Sequence, residues 1–137
     1  LPQAELIVIT TPQLMAQKVA TRVADMAKRS FIPLLGVIEN MSYFESNSGE
    51  KFNIFGEGGG KALADKFGIP ILGNIPISEN TNDIADGGTP LINQENHSIT
   101  KVEIDKLINN IAIQLPPIVD ESCTGRIAKV FEELSNQ

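Results

Sequence analysis

Three short aliphatic runs, Glu5 to Thr10 (ELIVIT), Leu34 to Ile38 (LLGVI) and Ile71 to Ile75 (ILGNI), constrain the fold of this chain more than any other feature. Each is apolar without polar alternation, which is how a strand covered on both faces reads. Between the first two, Met15, Val19, Val23 and Met26 recur at helical spacing, leaving Lys18, Arg22, Asp25 and Arg29 for a wet face. Thr11 can cap this helix, and Pro12 can take its first position, where a missing N–H costs nothing. Strand, helix and strand in this order form a βαβ unit with parallel strands and a right-handed crossover. The apolar stripe of the helix is expected to pack on the strands.

Pro33 separates the helix from the second run, which ends at Glu39-Asn40. Met41 to Gly60 has no sustained period and reads as a long loop. Lys61 to Phe67 reads as a short helix closed by Gly68, followed by the third strand and Pro76. Ser78 can cap a helix through about Asp86. Thr100-x-x-Glu103 has capping-box spacing before the apolar stripe Ile104, Leu107, Ile108, Ile111 and Leu115, and Pro116-Pro117 ends that helix. Residues 1–115 therefore read as one unit and 116–137 as a tail, with a short helix expected around Arg126 to Leu134. Open α/β sheets usually hold about five strands or more, so this sheet reads as half of a larger one. Its first strand should then present an unpaired edge along Glu5 to Thr10.

Composition narrows the function classes. Among 137 residues, 11 Lys and Arg stand against 17 Asp and Glu, a net charge of −6 with no basic run, which argues against nucleic-acid or anionic-membrane binding. No apolar stretch approaches the length that spans a bilayer, and there is no signal-peptide pattern at the start. The single cysteine, Cys123, excludes an intramolecular disulfide, so a cytoplasmic setting is expected.

In open parallel sheets, ligands bind beyond the carboxyl ends of the strands, here Thr10 to Gln13, Glu39 to Ser42 and Ile75 to Ser78. Thr10 to Gln13 is either a plain helix cap or a helix N-terminus facing an anion. Asn40 is either a turn residue or a reader of an adenine edge, whose adjacent N–H and ring nitrogen match the donor and acceptor of the amide. Gly56 to Lys61 (GEGGGK) invites a phosphate-loop reading but fails it on spacing. Phe55 stands where the first glycine is required, Ala62 where Ser or Thr is required, and a dinucleotide fingerprint would need glycine at Lys61. It reads instead as a glycine-rich entry to a helix. His97 has no metal-ligand neighbours in sequence and Cys123 no base partner, so no catalytic residue and no metal ligand is assigned.

Four blocks taken together, Thr10-Thr11-Pro12-Gln13, Gly36 to Phe44 (GVIENMSYF), Ile54 to Gly60 (IFGEGGG) and Ile71 to Pro76 (ILGNIP), resemble the Mrp/ApbC family in order and spacing. Its members are MinD-like P-loop ATPases regarded as iron–sulfur cluster carriers. The resemblance covers roughly Leu1 to Leu115 and implies a parallel-sheet, P-loop NTPase-type α/β fold, present as its C-terminal half. It places Asn40 on adenine and Pro76 in the lining of the base pocket. The family's phosphate loop and its Asp-bearing Pro-Pro-Gly motif precede the Thr-Thr-Pro-Gln block and have no match in this chain. ATP and Mg²⁺ are therefore expected cofactors of the full-length protein, and hydrolysis is not expected of this chain alone. Many relatives carry a Cys-x-x-Cys pair between the second and third blocks, where two subunits are thought to share a cluster. Glu45 to Gly49 (ESNSG) occupies that place here, and serine hydroxyls substitute poorly for thiolates, so cluster binding at this loop is not expected.

The resemblance implies a homodimer that delivers clusters to apo iron–sulfur proteins. One alternative is a MinD/ParA-like positioning ATPase, which a basic amphipathic terminal helix would favour and the acidic tail does not. The other is a non-enzymatic partner-binding module.

Overall fold

The computed structural model describes residues 4–46, 48–78 and 98–115. In chain order its elements are β1 (Leu6–Thr10), α1 (Leu14–Arg29), β2 (Leu34–Glu45), β3 (Lys51–Phe52), α2 (Gly59–Phe67), β4 (Ile71–Ile77) and α3 (Ile99–Gln114). β2 is central. β1 runs parallel to it on one side and β4 parallel on the other, so Glu39 has Thr10 as one register partner and Asn74 as the other. The three aliphatic runs therefore form the parallel sheet their composition predicts.

Two apolar layers sandwich that sheet. Val8 and Val37 pack with Ala20 and Ala24 of α1 and with Leu63, Ala64 and Phe67 of α2. On the opposite face Leu35, Ile38 and Leu72 pack against Leu107 of α3. Leu72 is 1% exposed and Val37 is fully buried, as expected of strands covered from both sides. No helix among the described residues is long and apolar enough to cross a membrane.

The structure corrects several expectations. α1 lays its alanines on the sheet: Ala20, Ala24 and Ala27 are buried, whereas Met15, Val19 and Met26 are 73%, 59% and 56% exposed. Small side chains let the helix axis approach the strands, and the large apolar stripe turns to one flank. The helix begins at Leu14 with Gln13 as its N-cap, and Pro12 is buried in the preceding turn. The long loop is also partly a hairpin. β2 continues to Glu45, and β3 pairs antiparallel with its end through Phe44–Phe52 and Glu45–Lys51. The strand passes through Met41 at φ 54°, a left-handed kink that breaks the alternation by which a strand is recognised. α2 starts at Gly59. In α3 the N-cap is Ser98, whose hydroxyl accepts from the Lys101 N–H at 3.2 Å, while Thr100 lies buried inside the first turn. The helix expected through about Asp86, His97, Cys123 and the tail from Pro116 lie outside the described residues.

Candidate functional site

Because β1, β2 and β4 run parallel, their carboxyl ends meet at one edge of the sheet. Thr10, Glu39 and Asn74 form one row across that edge. The next row pairs Asn40 with Ile75, and Pro76, a buried residue, follows one position further along β4. The two residues singled out from the sequence thus lie near the carboxyl ends of neighbouring strands. Asn40 Oδ1 accepts the Met41 N–H at 2.9 Å, and this bond fixes the orientation of the amide. Its Nδ2 makes no hydrogen bond among the described residues.

Glu39 is the polar centre of the edge, and sequence reasoning did not single it out. The residue is 4% exposed. Ser42 Oγ donates to its Oε1 at 2.6 Å, and the backbone N–H of Gly60 donates to its Oε2 at 2.5 Å. One carboxylate thereby holds the start of the hairpin and an otherwise unpaired donor at the N-terminus of α2, where negative charge is favoured. Burying a carboxylate is tolerable because both oxygens accept hydrogen bonds. The available signal was a carboxylate closing an aliphatic run with a serine three residues later.

This geometry also explains the glycine run. Gly58 caps α2 at φ 75°, a left-handed conformation that glycine adopts without a Cβ penalty. A Cβ on Gly59 would lie 2.5 Å from Gln17 Nε2 and 2.7 Å from the Pro12 carbonyl oxygen; one on Gly60 would lie 2.8 Å from Glu39 Cβ. The glycines let the end of α2 press against the β1–α1 turn and Glu39, so protein atoms fill the space beside them. The turn itself is tied by Gln17 Nε2, which donates to the Pro12 carbonyl at 2.8 Å, and by Thr10 Oγ1, which donates to the Thr11 carbonyl at 3.1 Å. Thr11 Oγ1 is buried without a partner, and Gln13 makes no side-chain cap bond.

Groups that could ligate a metal do not converge here: the described residues contain no cluster of three or more His, Cys, Asp or Glu with that geometry. Away from the edge, the Lys106 ammonium is held above the ordinary lysine range by its hydrogen bond to Glu103, with the Glu103 charge adding to the effect.

A doubly covered parallel sheet with its polar residues at the carboxyl edge is the architecture of a nucleotide-binding α/β protein. Residues 1–112 match the family model described as ParA, NUBPL iron-transfer P-loop NTPase, and the chain belongs to that family. It is 40% identical to the iron–sulfur cluster carrier protein of Bacillus subtilis, over 77% of this chain and 30% of that protein. To the protein of the same name from Pyrococcus horikoshii it is 38% identical, over 77% of this chain and 37% of the relative. The chain thus spans about a third of the length of these relatives.

Among solved structures, the cell division ATPase MinD of Pyrococcus furiosus matches with TM-score 0.61 at 18% identity, over 81% of this chain and 43% of that one. A nucleotide-binding protein of Archaeoglobus fulgidus in complex with ADP matches with TM-score 0.52 at 35% identity, over 60% of this chain and 34% of that one. The fold is that of the MinD-type P-loop ATPases.

Proposed function

We propose that this chain supplies the base-reading edge of an ATP-dependent iron–sulfur cluster carrier. The observation that carries the reading is the place of Asn40 at the carboxyl edge, with its Nδ2 unspent and its orientation preset by Met41. An amide so held can donate to a ring nitrogen of adenine, while the second lone pair of Oδ1 can accept from the exocyclic amine. Pro76 offers a rigid apolar wall beside the ring. The relatives named iron–sulfur cluster carrier proteins and the ADP-bound neighbour support this assignment.

At the phosphate end the described residues do not fit. The glycine run is spent on packing, so the phosphate cradle and the Mg²⁺ ligand belong to parts of the protein beyond those described. ATP, when bound with Mg²⁺, would supply the free energy of a conformational change at a homodimer interface. Glu39 ties Asn40's strand to α2 and the hairpin, so a shift at the base would be passed to both. The cluster is cargo for apo iron–sulfur proteins, and the serine-bearing segment Glu45 to Gly49 is not its ligand set.

Titrating ADP and GDP into the chain, with the Asn40 side-chain amide and the backbone amides of Ile75 and Ile77 followed by NMR, tests the reading. ADP should shift these signals selectively, and Asn40→Asp should abolish the preference. Equal responses to both nucleotides, or none, would refute base reading at this edge.

A further inference from the structure

α3 carries an apolar flank that the sheet only partly covers. Leu107 points inward, 7% exposed and packed with Leu35, Ile38 and Leu72. At about 100° per residue, Ile111, Ile104, Leu115 and Ile108 follow in turn round one side of the helix, the last of them about 100° from Leu107. Ile111, the first, still packs against the core. At the far end of the stripe, Ile108 and Leu115 are 43% and 46% exposed. Round the other side stand Glu103 and Lys106, paired with each other, and Asn110, bound to the Leu72 carbonyl. One flank of α3 is thus polar and satisfied, and the other is aliphatic and half open.

The sequence beyond α3, outside the described residues, carries a stripe of the same length. Pro116 and Pro117 keep α3 from continuing, because neither has an N–H to donate. In Arg126 to Leu134 (RIAKVFEEL), Ile127, Val130, Phe131 and Leu134 recur at helical spacing, and Arg126, Lys129, Glu132 and Glu133 fall elsewhere on the wheel. Ile127 to Leu134 covers about 10 Å of helix, as does Ile108 to Leu115. A helix this short is marginal in water and gains its stability from a surface to pack on.

We propose that residues 126–134 fold back as a helix antiparallel to α3 and lay their apolar face, centred on Ile127 and Phe131, over Ile108 and Leu115. The connection allows it. Residues 115–125 span about 35 Å when extended, and the axes of packed helices lie about 8 to 10 Å apart. Two features select this occupant over a second copy of the chain. A segment tethered so closely meets the flank at an effective concentration of about millimolar, which a free second molecule does not reach. The segment also brings the Phe131 ring to a half-open aliphatic surface, whereas α3 against α3 would set only Ile108 and Leu115 on each side. This inference rests on the open flank of α3 and not on base reading by Asn40, and either can fail without the other.

The test uses the 137-residue chain carrying Cys123→Ser and Ser135→Cys, with a nitroxide attached at position 135. Antiparallel seating should broaden the NMR amide signals of α3 most strongly over residues 104–108 and leave those of α2 little changed. Ile108→Lys, and separately Phe131→Lys, should each cut that broadening at least threefold. Ile113→Lys, at a position 78% exposed on the other flank of α3, should leave it unchanged. The dispersed amide signals of β1, β2 and β4 verify the fold of each variant. A folded chain without the broadening would overturn the proposal, as would broadening centred on the C-terminal end of α3 or indifferent to Ile108→Lys and Phe131→Lys. Broadening of an isotope-labelled chain by a separate nitroxide-bearing copy would overturn it in favour of a second copy.

Discussion

The two flanks of the sheet are built differently. On the β4 side the first irregularity of the strand has a partner. The register shift that leaves Leu72 as an extra residue between Ile71 and Gly73 is met by Asn110 of α3, whose Nδ2 donates to the Leu72 carbonyl at 2.8 Å. Gly36 gives way to Leu72, whose Cγ would lie 2.6 Å from an added Cβ. Both β1 and β4 pair only with β2 among the described residues, but on the β1 side the large side chains of α1 stand in solvent. The difference teaches that hydrophobicity at helical spacing does not say which surface it meets: the alanines found the sheet, and the methionines and valines face outward.

Substitutions can break this contrast, and the largest effect belongs to the closed flank. Leu72→Ala should destabilise by about 3 to 4 kcal/mol, through lost burial and a cavity beside Leu107. Urea unfolding would measure it, with Met15→Ala on the open flank shifting the midpoint little as the control. Next comes the carboxyl edge. Glu39→Ala strands the Gly60 N–H and the Ser42 hydroxyl and should cost about 2 to 3 kcal/mol. Hydrogen exchange at Gly60 should accelerate in that variant, and an unchanged rate would remove Glu39 from its role as a tie.

A smaller effect of opposite sign is expected at the end of α1. Phe31 is 94% exposed and sits at φ 55°, where its N–H donates to the Lys28 carbonyl and the Ile32 N–H to that of Ala27. This is the position where helices commonly place glycine. Phe31→Gly should stabilise the chain by about 1 kcal/mol, read as a rise in melting temperature. Smallest of all is the exposed Lys106–Glu103 pair. Its folded ammonium pKa is raised, so whatever stability it contributes is fully present below the ordinary lysine value and fades as pH rises through the raised one. The gap between wild type and Lys106→Gln should therefore close in alkaline solution, and a gap that widened there would show the pair to be misassigned.

Much of the fold was legible from short stretches. Leu34 to Ile38 announced itself as a strand because both its faces are buried, and Gly68 announced a helix end because it takes φ 68° there. Tyr43 to Glu45 did not, since the left-handed Met41 interrupts the pattern and the pairing partner Lys51–Phe52 is only two residues long. At the edge, the position of Asn40 at the end of an aliphatic run was legible, whereas the tie made by Glu39 was not. Its importance lies in Gly60, a residue 21 positions away, and no local signal carries a contact of that range.

The parallel order of strands and helices, and the family to which the chain belongs, follow from aliphatic runs, helix-length crossovers and short motifs, which are local properties of the chain. Which face of α1 lies inward, why Gly59 and Gly60 must be glycines, and how a buried carboxylate ties the hairpin to α2 emerged with the packing of the whole sheet. Those outcomes depend on how closely two elements approach, and that distance is set by all the side chains between them at once.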